Sequence, residues 1–181
     1  MTNYLFKNLN TLFLTCALAF ISIANAQEVR VIDNKGTINT IRELIVGTDG
    51  LLYAYDGTRI KWLSVDRNLI GWGRNSNNTT NEYLRQYNGA QSNNNNNGWR
   101  MIRDGTITAI TVQSNADQTY TVEIRKNDDT DIETSLAVSN DQGKHDTTIN
   151  IDFDEGDFLQ CYLNGNTIDY PQVLIEIAWR Q

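Results

Sequence analysis

The side chains best suited to hold a ligand are Tyr83, Tyr87 and Trp99, with Arg100 next to the last of them. All four lie in or beside an Asn-rich stretch over residues 74–98, which includes the unbroken Asn run 93–97. Aromatic rings cover the apolar faces of sugars, and amide side chains both donate and accept hydrogen bonds, so this composition suits glycan recognition. The stretch also reads as a plain exposed loop, because a polar run buries too little apolar surface to offset its ordering entropy. Within it, residues 82–87 are expected to form a turn of helix.

The carboxylates cluster in two places. Asp152, Asp154, Glu155 and Asp157 crowd one turn, and Asp128, Asp129 and Asp131 another. Oxygen-rich turns can bind calcium, but the first lacks an acid at the twelfth position of an EF-hand, so calcium has no specific support. The plainer reading is structural: Gly156 takes an unusual φ and an Asp caps local N–H groups. No metal ligand is assigned and no cofactor is expected. The single His145 lies among polar residues, with no Gly-x-Ser-x-Gly elbow in the chain, and reads as a solvated loop residue. Cys161 alternates with Leu159 and Leu163, the pattern of a buried small hydrophobe; an active thiolate needs an accessible, electropositive setting. No carboxylate pair stands out for glycoside hydrolysis. No catalytic residue is assigned, and an enzyme is not expected.

Composition narrows the class further. The 181 residues carry a formal charge of −7, which argues against nucleic acid or an anionic membrane as the main partner. Lys7, the apolar run 12–24 and Ala24-Asn25-Ala26 match a secretory signal peptide over residues 1–26. A spanning helix needs about 18 or more apolar residues, so no transmembrane segment is expected after cleavage. The destination is expected to be extracellular, cell-surface or periplasmic. Past residue 26 only Cys161 and His145 remain of their types, which excludes an intrachain disulfide and a Cys/His zinc site.

The elements that must position these residues are strands. Tyr120, Val122 and Ile124 share one face while Thr121, Glu123 and Arg125 share the other. Ile149, Ile151 and Phe153 repeat the period of two, as do Val173, Ile175, Ile177 and Trp179. Residues 158–163 are apolar on both faces and suit a strand between two layers. Further strands are expected at 105–113 and 132–138, with Asp104-Gly105 as a tight turn. Upstream, residues 51–55, then Asp56-Gly57, then 58–65 predict a hairpin with a type I′ turn. A lone hairpin is marginal in water, so it must pack on the main domain or on a second copy. The expected organisation is all-β: a small β-hairpin module over 27–67, then an antiparallel jelly-roll β-sandwich over 68–181 with the Asn-rich loop 74–98.

Several segments carry a family likeness. They are residues 98–108, Val122-Glu123-Ile124-Arg125-Lys126-Asn127, residues 150–157 and the closing Glu176-Ile177-Ala178-Trp179-Arg180. With these, residues 98–180 resemble C-terminal β-sandwich domains of phage tail and fibre proteins and of some exported bacterial proteins. The strand layout is similar to the jelly roll of the C1q and tumour-necrosis-factor type. That resemblance implies a compact homotrimer with binding loops at one end, and no catalytic residues. The leading expectation is therefore a secreted or cell-surface adhesion module recognising a glycan or a surface protein by multivalent contact. Tyr83, Tyr87, Trp99 and Arg100 are its candidate ligand-binding residues. The alternative is a structural subunit of an extracellular or virion-like assembly, and a carbohydrate-active hydrolase is the third reading.

Overall fold

The computed structural model describes the backbone of residues 29–32 and 38–41, and residues 44–86, 97–128 and 131–181 in full. Residues 1–26, where a signal peptide is expected, Tyr87, residues 93–96 of the Asn run and Asp129 lie outside the described residues. Two compact units divide the chain, Met1–Leu44 and Ile45–Gln181. In the first, β1 (Val29–Ile32) and β2 (Ile38–Ile41) pair antiparallel, with Val29 opposite Ile41.

A small sheet comes next, in the order β3 (Leu44–Val46), β4 (Leu52–Asp56) and β5 (Lys61–Ser64). The β4–β5 hairpin forms where the alternation and turn residues place it, but its connection is not the expected two-residue turn. Residues 57–60 bridge the strands, and the left-handed residue is Ile60, at φ 59°, rather than Gly57. The cause is the Asp56 side chain, whose Oδ1 accepts from the backbone N–H of both Thr58 and Arg59, each at 2.9 Å, and so caps a wider turn.

The remaining strands build the sandwich. They are β6 (Asn68–Gly73), β7 (Glu82–Tyr83), β8 (Arg85–Gln86), β9 (Trp99–Arg100), β10 (Gly105–Lys126), β11 (Ile132–Asp146), β12 (Ile151–Phe153), β13 (Phe158–Gly165) and β14 (Gln172–Trp179). The expected separate strands at 105–113 and around 120–125 are one 22-residue strand, and β11 likewise runs on for 15 residues. Irregular register between Gln113 and Tyr120 turns β10 from one layer into the other. Its first part, 105–113, pairs with β14 on one side and with β12 and the end of β11 on the other. Its last part, 120–126, pairs with β13 and the start of β11. β6 extends the first layer beside β14, and β7 and β9 extend the second beside β13. The result is an all-β antiparallel jelly-roll sandwich, with successive strands alternating between layers.

The core sits where the period-2 pattern puts it. Val122, Ile124, Leu159, Cys161, Leu163 and Ile175 are each 0% exposed, and full burial of such a side chain is worth about 1.5–3 kcal/mol. Residues 82–86, the described part of the expected turn of helix over 82–87, form two short strands instead. Tyr83 pairs opposite Tyr162 at the sheet edge, and Leu84, fully buried, donates its N–H to Cys161 O at 2.9 Å. Ready-made partners on β13 satisfy the backbone more fully than a single helical turn, whose nucleation is costly. Because β8 then pairs with β6, this short segment links one edge of the second layer to one edge of the first and nearly closes a barrel.

Glycine 105 works differently from the expected turn residue. It opens β10, and a Cβ there would meet the Phe153 ring at 2.3 Å and Ala178 O at 2.8 Å. Only glycine lets β10, β12 and β14 approach this closely.

The β4–β5 hairpin packs on the sandwich. Arg59 donates from Nε to Ile149 O at 2.7 Å and from Nη2 to Thr108 O and Thr147 O, both at 2.9 Å. Lys61 pairs with Asp152 at 2.6 Å, and Trp179 N donates to Ser64 Oγ at 2.9 Å.

Candidate functional site

A groove runs along the outer face of the first layer. Inward positions of β6 carry Ile70 and Trp72, and the alternating outward positions carry Leu69, Gly71 and Gly73. Leu174 on β14 lies opposite Gly71 and fills the space its side chain would need: a Cβ at 71 would sit 2.6 Å from Leu174 Cδ2. The groove has a volume of about 530 Å³ and is lined by Leu69, Leu174, Gly71 and Gly73, with Arg85 and Gln86 of β8 at its edge. That volume falls in the range of small-ligand sites.

The groove has an uneven polar complement. Trp72 Nε1, Arg74 Nε and Arg85 Nε all belong to its lining residues, and all three are buried without a hydrogen-bond acceptor. Arg74 keeps an ion partner, with Nε 3.4 Å from Glu82 Oε1. Arg85 Nε has no hydrogen-bond acceptor among the described residues. Buried donors without acceptors are rare in folded proteins, so their concentration at one groove is informative.

The sequence-predicted binding residues are not gathered in one place. Tyr83 stands on the outer face of the second layer, edge-on to Tyr162 with ring centroids 5.1 Å apart. Arg125 lies 4.0 Å over the Tyr162 ring and donates to Tyr83 Oη at 2.9 Å. Glu123 accepts from Arg125 Nη2 at 2.5 Å, and both charged side chains are only 12% exposed. Burial opposes ionisation of Arg125, but the hydrogen bonds from Glu123 and Tyr83 outweigh it and raise its already high pKa. Tyr83 is thus engaged in a closed network. Trp99 and Arg100 are consecutive on β9 and so face opposite ways. The Trp99 ring packs against the core and its Nε1 donates to Gly71 O at 3.2 Å, from beneath the groove floor. Arg100 stacks its guanidinium 5.0 Å over the Phe158 ring.

Signals for the groove were present in the sequence but weak. The small outward residues of Gly71-Trp72-Gly73 sit in an apolar strand, yet nothing local says that Leu174 lies beside them. Arg85 lay within a stretch whose polarity suggested a loop.

The other candidate groups are occupied by structural work. Asp152 accepts from Lys61 and Thr106 and pairs with Arg180 at 2.7 Å. Burial opposes its ionisation, but those hydrogen bonds and charges outweigh burial and hold its carboxyl below the usual aspartate range. Asp154 pairs with Arg180 at 2.8 Å, and Asp157 accepts from Asn127 Nδ2 at 2.8 Å. Among the described residues, no group of three or more His, Cys, Asp or Glu side chains is placed to hold a metal ion. His145 lies on β11 opposite Thr111 and is exposed, so it is a strand residue rather than the expected loop residue. Burial pushes the Cys161 thiol well above its ordinary pKa. A second groove of about 520 Å³ lies between the hairpin and the sandwich, where Arg103 pairs with Asp49 at 2.7 Å. Asp49 also accepts from Tyr53 Oη at 2.7 Å, and burial followed by that hydrogen bond pushes Tyr53 up to about 12.

Strand order and burial define the class: an all-β jelly-roll sandwich carrying a small accessory sheet. No protein-family model matches the chain, and no curated protein matches it. Among solved structures it is similar to the coat protein of Tobacco streak virus, at 12% identity over 62% of this chain and 87% of that one, with a TM-score of 0.28. A score this low carries no argument about role or assembly.

Proposed function

We propose that the chain is an exported, non-enzymatic binding module that recognises a glycan or a surface protein and works as a homo-oligomer. The groove bounded by β6, β8 and β14 is its contact site. The observation that carries this reading is the groove itself, about 530 Å³ of space beside Arg85, whose buried Nε has no acceptor among the described residues. Export follows from the signal-peptide pattern over residues 1–26, and oligomerisation from the resemblance to trimeric jelly rolls. Multivalency then multiplies a weak single-site affinity. The test is capture of the purified protein on arrays of glycans and of cell-surface proteins, comparing the wild type with Leu174→Glu. Loss of capture on this folded variant supports the groove, and undiminished capture removes it as the contact site.

A second reading, a structural subunit of an extracellular assembly, has its own support. Leu69 is 69% exposed and Leu174 43% exposed on one sheet face, an apolar surface suited to burial against copies of the chain. Light scattering across a concentration series separates the two. A closed small oligomer such as a trimer favours the binding module, whereas open-ended growth favours the structural subunit.

A further inference from the structure

We infer that the β6–β8–β14 groove recognises an acidic residue next to an aliphatic one in a partner polypeptide. The inference rests on the binding-module reading and names the chemistry that the groove takes.

Charge complementarity carries the first half. Arg85 and Arg74 both line the groove, and among the described residues only Arg74 has a carboxylate, Glu82 Oε1 at 3.4 Å. Arg85 Nε is buried without an acceptor. A guanidinium with one donor buried and unaccepted favours an anionic partner, and a carboxylate is the group that fits its planar fork of donors. The chain as a whole is acidic, at −7, so this site is a local reversal of the protein's charge.

The walls carry the second half. Leu69 and Leu174 are exposed aliphatic side chains, and Leu174 Cδ2 lies over Gly71, so the two leucines make an aliphatic wall along the groove. Sugar rings are held by open aromatic faces. Among the described residues the one aromatic lining residue, Trp72, is 4% exposed and turned into the core, so it offers no such face. An aliphatic side chain packs on the exposed leucines better than a pyranose does. Together, the aliphatic wall and Arg85 select a pair such as Leu-Glu, with the aliphatic group against the leucines and the carboxylate on Arg85.

The test uses the isotopically labelled protein and NMR, which detects millimolar binding. The probes are the blocked dipeptides N-acetyl-Leu-Glu-amide, N-acetyl-Leu-Gln-amide and N-acetyl-Leu-Lys-amide, with glucuronic acid as the sugar-borne carboxylate. The expected result is a set of shifts centred on Gly71, Gly73, Leu174 and the Arg85 Nε–H, with the Glu peptide binding roughly tenfold more tightly than the Gln peptide. In Arg85→Gln that preference disappears, while the amide spectrum of the same sample confirms the fold. Equal binding of the Glu and Gln peptides by wild type overturns the inference and leaves the binding module standing. Tighter binding of glucuronic acid overturns it in favour of an acidic glycan. Shifts that grow with protein concentration alone mean that a second copy occupies the groove, which also overturns it. Silence from every probe overturns the inference, and the array experiment then decides separately whether the module binds at all.

Discussion

Replacing Arg59 by alanine should detach the β4–β5 hairpin before it unfolds the sandwich. Arg59 is 15% exposed and donates to three carbonyls from 88 to 90 or 49 positions away in sequence: Thr147, Ile149 and Thr108. Its Nη1 also pairs with Asp56 at 2.8 Å, which ties it to the hairpin that it anchors. A hydrogen bond from a charged donor contributes about 1.5–3 kcal/mol, and a buried carbonyl stripped of its donor adds a desolvation penalty. Water can replace the bond to exposed Thr147, so only the bonds to Thr108 and Ile149, residues that are themselves buried, count in full. The expected loss is about 3 kcal/mol, equivalent to a fall in Tm of roughly 6–12 °C for a chain of this size. Arg59→Lys keeps the charge but lacks the fork, and should lose about half as much. Urea titration measures the total, and hydrogen exchange locates it. Amides of β4 and β5 should exchange faster in Arg59→Ala at urea concentrations where those of β10 and β13 remain protected. A stability change below about 0.5 kcal/mol, or uniform loss of protection across both sheets, would refute the clamp.

Other expectations follow from the same structure. Asp152 has a depressed carboxyl pKa, so its contribution is present above the ordinary aspartate range and disappears as pH falls through its folded value. Stability should therefore decline in acid, below about pH 4, and Asp152→Asn should flatten that decline in thermal melts run across pH; an unchanged acid limb counts against the Lys61–Asp152–Arg180 network. Ile60 is a β-branched residue at φ 59° with 76% exposure, so Ile60→Gly should stabilise the protein by about 1 kcal/mol in urea titration. Destabilisation would mean that the exposed side chain makes contacts worth more than the backbone strain. Cys161 is fully buried and its thiol is held protonated, so a thiol reagent should label it only at the rate of unfolding. Fast labelling of the native protein would contradict that burial.

Much of the fold was legible in the sequence, and the residues show why. The alternation at 120–125 places Tyr120, Val122 and Ile124 inside whichever strands lie beside them, because successive side chains on a strand point to opposite faces. The same argument holds for Val173, Ile175 and Ile177, and for Cys161 between Leu159 and Leu163. Connections were less legible. Asp56-Gly57 announces a turn, but the Asp56 side chain chooses a longer one, and the irregularity that lets β10 pass unbroken between layers lies in a polar stretch with no signal of its own. At 82–86 the local sequence suits a helical turn, and the β13 edge overrides it by offering backbone partners.

The candidate site divides along the same line. Sequence alone determined that Tyr83, Trp99 and Arg100 are unusual residues in a polar stretch, since residue type and neighbours are enough for that. Tertiary structure decided what each of them does: Tyr83 joins Arg125 and Tyr162, Trp99 supports the floor at Gly71, and Arg100 covers Phe158. It also decided that Gly71 meets Leu174 and that Arg85 reaches their groove with a buried Nε that has no acceptor among the described residues. Which face a strand residue takes is a property of backbone geometry that a few neighbours specify. Which distant strand pairs with it, and so whether a groove or an unaccepted donor results, depends on long-range register that only the folded chain supplies.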